Sequence, residues 1–235
     1  MKHTEALLKA EKFQQKMEKI AQNDYWINDP NGFCFYKGEY HLFYQYHPYS
    51  SQWGPMHWGH VASKDLADWE HRPIALAPTD EYDKDGCFSG SAIENDGKLY
   101  LLYTGHVDLD NSNGGNDRIE TQCLAVSDDG KHFEKVENNP VIKALPENLN
   151  IRTEHFRDPK VWKHGDWYYT VVGVQTKEES GQVVVYKSQD LINWEFLNIM
   201  ATSSVKENLG FMWECPDFAE VNGHEALILS PQGVK

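Results

Sequence analysis

The sequence has no apolar stretch long enough to span a bilayer, which excludes a transmembrane helix. Residues 1–22 are charged throughout and lack the apolar core of a signal peptide, so a cytoplasmic protein is expected. Cysteine is sparse: Cys34, Cys87, Cys123 and Cys215 are scattered and form no Cys-x-x-Cys pair, so zinc and thioredoxin chemistry have no support. Free thiols in a reducing compartment are the simple account. Basic residues are also short, with 22 Lys and Arg against 36 Asp and Glu for a net charge of −14. A surface this acidic repels phosphate backbones and anionic lipid, so neither a nucleic acid nor a membrane is expected as partner. The sequence leaves the oligomeric state open.

Aromatic residues, by contrast, are abundant, with 8 Trp, 12 Tyr and 10 Phe. They favour strands, and their flat apolar faces pack on sugar rings. The spacing of Leu7, Leu8, Phe13, Met17 and Ile20 predicts an amphipathic helix over Thr4–Ala21, part of an N-terminal leader (1–22) that packs on the main domain (23–235). From Tyr25 onward, short aromatic and β-branched segments alternate with turn residues.

Four such segments repeat. The first unit has strands predicted at Phe33–Tyr36, Tyr40–Tyr46, Trp58–Ser63 and Pro73–Leu76; the second ends on Pro140–Ile142; a third starts at Arg157 and a fourth at Trp213. Ser63, Ser127 and Ser188 fall 64 and 61 residues apart, and Asp65-Leu66-x-x-Trp69 matches Asp190-Leu191-x-x-Trp194 position for position. Self-similarity with four strands per unit predicts an all-β fold, a β-propeller.

The stretch Trp26-Ile27-Asn28-Asp29-Pro30-Asn31-Gly32 organises the rest. Pro30 pushes the residue before it toward an extended conformation, and Asn31-Gly32 favours a tight turn. A lone Asp-Pro is usually an Asx turn, but here the design recurs. Asp29, Ser89, Asp158 and Glu214 take matching early positions, 60, 69 and 56 residues apart. First strands of propeller blades line one axis, so three carboxylates should converge. Such a like-charge cluster is unfavourable unless it serves chemistry. Paired carboxylates in an aromatic-walled pocket suit glycoside hydrolysis, one as proton donor and one as nucleophile or base.

The motifs then resemble a known family. Trp26-Ile27-Asn28-Asp29-Pro30-Asn31-Gly32, Phe43-Tyr44-Gln45-Tyr46, Trp53-Gly54-Pro55-Met56-His57-Trp58-Gly59-His60, Phe88-Ser89-Gly90-Ser91, Arg157-Asp158-Pro159-Lys160 and Trp213-Glu214-Cys215-Pro216 occur in order. Together they resemble glycoside hydrolase family 32, the invertases or β-fructofuranosidases, and most of all its bacterial members that cleave sucrose 6-phosphate. The resemblance implies a five-bladed propeller, of which about three and a half blades would be present, and a retaining mechanism on sucrose or sucrose 6-phosphate. It implies Asp29 as nucleophile, Glu214 as acid/base and Asp158 as transition-state stabiliser. Trp26, Ile27, Asn28, Gln45, Trp53, Phe88, Ser89 and Arg157 would bind the sugar. It implies no metal and no organic cofactor. Two alternatives stay open: a fructan exo-hydrolase of the levanase or inulinase type, and an inactive sugar-binding fragment.

The chain departs from the family in lacking its His/Pro-containing lead-in before Trp26, and it stops within the fourth repeat, which leads to the expectation of a truncated propeller without a C-terminal β-sandwich. Arg157 is a fixed cation expected to hold neighbouring acids ionised, and Cys215 reads as a small pocket-lining group. Asp108 to Gly114 is one residue out of step with a calcium loop and reads as a solvated loop. His57 and His60 read as structural histidines.

Overall fold

The computed structural model describes residues 2–18, 25–109, 117–147, 149–203 and 209–234. Among the described residues the protein is all-β apart from one helix, α1 (Lys2–Glu18); the rest of the expected helix, 19–21, lies outside them. Of the apolar stripe, Leu8 stays exposed, while Leu7 and the fully buried Ala10 seat the helix against Tyr46 and Ile74.

Three antiparallel sheets of four strands follow one another along the chain. The first contains β1 (Trp26–Tyr36), β2 (Glu39–His47), β3 (His57–Ser63) and β4 (Glu70–His71). The second contains β5 (Gly86–Asn95), β6 (Lys98–Asp108), β7 (Arg118–Ser127) and β8 (Glu134–Lys135). The third contains β9 (Ile151–His164), β10 (Trp167–Thr176), β11 (Gly181–Ser188) and β12 (Trp194–Thr202). A two-stranded sheet, β13 (Met212–Val221) with β14 (His224–Gln232), comes last. In each sheet, strands pair in chain order, and the first strands lie side by side: β1 against β5, β5 against β9, β9 against β13.

Apolar side chains fill the spaces between neighbouring sheets. Phe43 and Trp58 of the first sheet meet Leu99, Leu101 and Tyr103 of the second. Leu102 and Leu124 of the second meet Val161 and Tyr168 of the third, and Val171, Val183 and Val185 meet Trp213 of the last. The middle strands β6, β7, β10 and β11 are buried along most of their length, as strands sandwiched between neighbouring sheets are.

The repeated Ser-x-Asp signature is a turn. Leu66 N and Asp65 N donate to Ser63 Oγ at 2.9 and 3.3 Å, and Ala67 N and Asp68 N donate to Asp65 Oδ1, both at 2.9 Å. The same bonds recur at Ser127–Asp129 and at Ser188–Asp190. The residue after the Asp has positive φ in all three, 66° at Leu66, 72° at Gly130 and 66° at Leu191. The tryptophan of the motif closes the turn, Trp69 Nε1 and Trp194 Nε1 donating to the carbonyls of Leu66 and Leu191.

Two expectations are corrected. The fourth strands are the short β4 and β8, while the predicted strands ending at Leu76 and Ile142 form only isolated bridges, to Trp58 and Gln122. Proline at their start removes a ladder donor, so little pairing is possible. Asn31-Gly32 makes no hairpin turn; β1 runs straight through it, and the positive φ of Gly32 (55°) serves a bulge between Asn31 and Cys34. The hairpin turn lies at Lys37-Gly38, between the strands that the residue pattern pairs, with φ of 47° and 85°, a pattern that matches the twist of the flanking strands.

Candidate active site

Each inner strand is interrupted at the same height. Asn28-Asp29 in β1, Ser89 in β5, Asp158-Pro159 in β9 and Cys215-Pro216 in β13 are the residues left over between paired neighbours. A bulge re-aims side chains and exposes backbone, which is why bulges recur beside functional sites. Two of these are strained: Asp158 and Cys215, each followed by proline, sit at φ of 66° and 46°, a region costly for any residue with a Cβ. The register also corrects one expectation. Glu214 is not the counterpart of Asp158; it stands one residue earlier, where Arg157 stands in β9, and Cys215 takes the place of Asp158.

The bulges of β1, β5 and β9 open onto one cavity of about 450 Å³, and Glu214, beside the fourth bulge, lines it too. Nine of the eleven residues singled out from the sequence line it: Asn28 and Asp29 from β1, Gln45 from β2, Trp53 from the following loop, Phe88 and Ser89 from β5, Arg157 and Asp158 from β9, and Glu214 from β13. Trp26 and Ile27 do not. Ile27 points outward, 57% exposed, and Trp26 reaches the site only by donating from Nε1 to Asn28 Oδ1 at 2.8 Å. Alternation turns Ile27 away from the side of Asn28, and Trp26, two residues before Asn28, shares its side but lies short of the cavity.

The acids are individually held. Ser89 Oγ donates to Asp29 Oδ2 at 2.8 Å. Cys215 N donates to Asp158 Oδ2 at 2.9 Å, and its thiol lies 3.9 Å from Asp29 Oδ2 and 3.7 Å from Asp158 Oδ2, so one sulfur sits between the two carboxylates. Burial, with those acids beside it, pushes the thiol far above its ordinary pKa, which leaves it a neutral wall group. Glu214 Oε1 accepts from Arg157 Nη2 at 2.7 Å and Nε at 3.2 Å.

Arg157 was expected to hold its neighbours ionised, and at Asp158 it does not prevail. Burial pushes Asp158 up to about 7, aided by Glu214 and Glu120, against the pull of Arg157 and the Cys215 amide. Asp158 Oδ2 is 4.0 Å from Arg157 Nε, whose hydrogen bonds go to Glu214.

The wall and mouth are aromatic. Phe88 stacks on His106 with centroids 4.0 Å apart, and Trp53 meets Phe88 edge to face. Trp53 is 52% exposed, leaving a ring face free at the entrance. Gln45 Nε2 donates to the Cys87 carbonyl, fixing its amide.

Several lining residues were not read from the sequence: His106, Asp108, Arg118 and His155, together with Glu120 behind them. The polar run Arg118-Ile119-Glu120-Thr121-Gln122 in an otherwise apolar unit was the available signal. Of the loop weighed for calcium, 110–116 lie outside the described residues, and Glu120 is instead bonded to Arg157. Among the described residues no group of three His, Cys, Asp or Glu is arranged to hold a metal ion. His60 Nε2 bonds His41 Nδ1 at 2.9 Å and His57 Nδ1 meets the Pro55 carbonyl at 3.0 Å; burial lowers both to about 3, so they are neutral structural groups. All four cysteines are free, and among the described residues no helix is long and apolar enough to cross a membrane.

Comparison with known proteins follows the same lines. Residues 20–235 match the glycosyl hydrolases family 32 N-terminal domain. The chain is 50% identical over 210 residues to a sucrose-6-phosphate hydrolase of Escherichia coli, covering 89% of this chain and 42% of that protein. In structure it resembles a β-fructofuranosidase of Bombyx mori in complex with sucrose, with TM-score 0.87 and 43% identity, covering 98% of this chain and 49% of that one. A sucrose-6-phosphate hydrolase of Lactobacillus gasseri gives TM-score 0.77 and 34% identity, covering 99% of this chain and 46% of that one. The chain thus spans about two fifths of the length of the curated relative it matches.

Proposed function

The chain belongs to glycosyl hydrolases family 32, and from that premise we propose that it forms the catalytic part of a β-fructofuranosidase acting on sucrose or sucrose 6-phosphate. The observation that carries the proposal is the meeting of Asp29, Asp158 and Glu214, from three different sheets, in one aromatic-mouthed cavity. In the proposed reaction Asp29, oriented by Ser89, attacks the anomeric carbon of the fructosyl unit, while Glu214 protonates the departing glycosidic oxygen. The covalent fructosyl-enzyme is then hydrolysed by water that Glu214 deprotonates, so configuration is retained. Asp158 holds fructose hydroxyls, and the free face of Trp53 packs on the sugar at the mouth. Side chains alone supply the chemistry. The sheets are read as blades of a five-bladed propeller, with three complete blades and the first hairpin of a fourth in this chain. Cytoplasmic residence belongs to the same proposal, supported by the four unpaired thiols.

The test is sugar release from sucrose, sucrose 6-phosphate and a fructan. It would be run on this chain and on the chain joined to the C-terminal part of a family 32 relative, each beside Asp29→Asn. Hydrolysis of either sucrose form that Asp29→Asn abolishes is the expected result, with β-fructofuranose as the first product by NMR. A folded joined protein that cleaves neither form overturns the proposal, and cleavage of fructan alone moves it to the exo-hydrolases.

A further inference from the structure

Behind the cavity wall lies a carboxylate that touches no sugar-binding space. Glu120 is fully buried on β7, its Oε2 accepting from Arg157 Nη1 at 3.2 Å and from Phe156 N at 2.9 Å. Its Oε1 lies 3.5 Å from His106 Nδ1 and 4.0 Å from Arg118 Nη1. The guanidinium it holds is divided: Nη1 faces Glu120 and His155 Nδ1, while Nη2 and Nε face Glu214 Oε1. A buried carboxylate is strongly unfavourable without a cation, and a buried guanidinium without counter-charge equally so. The arrangement therefore links the second, third and last sheets through one carboxylate–guanidinium–carboxylate line.

We infer that Glu120 is a positioning residue for the proton donor, fixing Arg157 in place and offsetting its charge where the guanidinium meets Glu214. The inference rests on the proposed role of Glu214. Two consequences of the geometry support it. Arg157 alone against Glu214 would favour the carboxylate and drain the proton an acid catalyst needs. Glu120 shares that positive charge, and its contact to Nη1 turns the Nε–Nη2 edge toward Glu214. Burial alone would raise Glu120, but the His106 ring and Arg157 outweigh it and hold it below its ordinary value, so its negative charge persists. The other titratable groups around the line are Asp29 from β1, His106 and Asp108 from β6, Asp117 just before β7 and Arg118 on it, His155 and Asp158 from β9, and Cys215 beside Glu214. Burial and the neighbouring Arg157 lower His155, so it adds no cation of its own.

The test reads the titration of Glu214 directly, by carbon-13 NMR of the chain labelled in glutamate. The resonance is identified by its loss in Glu214→Gln. Glu120→Gln keeps the bond to Phe156 N and removes the charge, so the midpoint of Glu214 should fall by about one pH unit. In an active joined protein the alkaline limb of kcat/KM, which needs protonated Glu214, should move to lower pH by the same amount. Glu120→Asp keeps the charge but draws it back, and a smaller shift in the same direction is expected. If Glu120→Gln does not fold, Glu120→Asp decides. An unmoved midpoint in a folded variant overturns the inference. Because the NMR titration needs no hydrolysis, a shifted midpoint in a protein that cleaves no sucrose would refute the proposed substrate and leave the coupling standing.

Discussion

At Ser63, Ser127 and Ser188 the chain makes the same turn three times, bond for bond, whereas the bulges at Asn28-Asp29, Ser89, Asp158 and Cys215 share a place and almost nothing else. The turns lie at the end of the third strand of each sheet, away from the cavity, and have a single task, so one solution serves all. The bulges border one cavity, three of them lining it and the fourth holding Asp158 from behind, and divide the work. One brings a carboxylate, one a hydroxyl that steadies it, one a second carboxylate, and one a backbone amide that binds it. Repetition builds the frame; divergence at one height of the inner strands builds the site.

That contrast can be broken at either end. The largest effect is expected from Asp29→Asn, which should lower hydrolysis by about 10⁴-fold or more while leaving the melting temperature unchanged. Loss of activity through unfolding would show that the bulge, like the turns, is structural.

The next test concerns pH. A free Asp titrates at about 4, and Asp158 in the fold at about 7. Between those values the folded chain holds a proton the unfolded chain has lost. The stability from protonated Asp158 is therefore complete below about pH 4 and lost as pH rises to about 7. Asp158→Asn removes this dependence, so its melting temperature should gain on that of the parent across the window. Parallel curves would mean that Asp158 is not buried as a neutral acid.

Smaller effects belong to the turns. Ser188→Ala removes the acceptor of two backbone N–H groups and should lower stability by about 1–2 kcal/mol, read by urea unfolding, without altering the Glu214 titration. The smallest is Leu66→Gly. Leu66 is 48% exposed at φ 66°, where the second sheet has Gly130, so relief of backbone strain should stabilise the chain by up to about 1 kcal/mol. A clear loss would show that the exposed side chain of Leu66 is needed where it stands.

Much of this was legible in the residues. The Ser-x-Asp spacing marked the repeats because each turn is made by local hydrogen bonds that reach only three residues along the chain. Strands such as β6 and β7 were readable for the same reason, since a short apolar and β-branched run bounded by turn residues is a local property. Glu214, Asp29 and Asp158 were singled out through their motifs and the fold brings them to one cavity, although counting from Asp158 misplaced the register of Glu214 by one residue. Glu120 was missed because its meaning lies in Arg157, 37 residues away and in another sheet.

The sequence by itself determined most of the strands, the Ser-x-Asp turns and which acids would sit on the inner strands, because those follow from local residue pattern and short-range bonding. Only the tertiary structure decided which of those acids stay charged. Asp158 is pushed up by burial despite its adjacent arginine, while Glu120, equally buried, is held down by His106 and that same arginine. The difference comes first from the His106 ring that meets Glu120 and then from the guanidinium that bonds it, and both depend on how the sheets pack against one another.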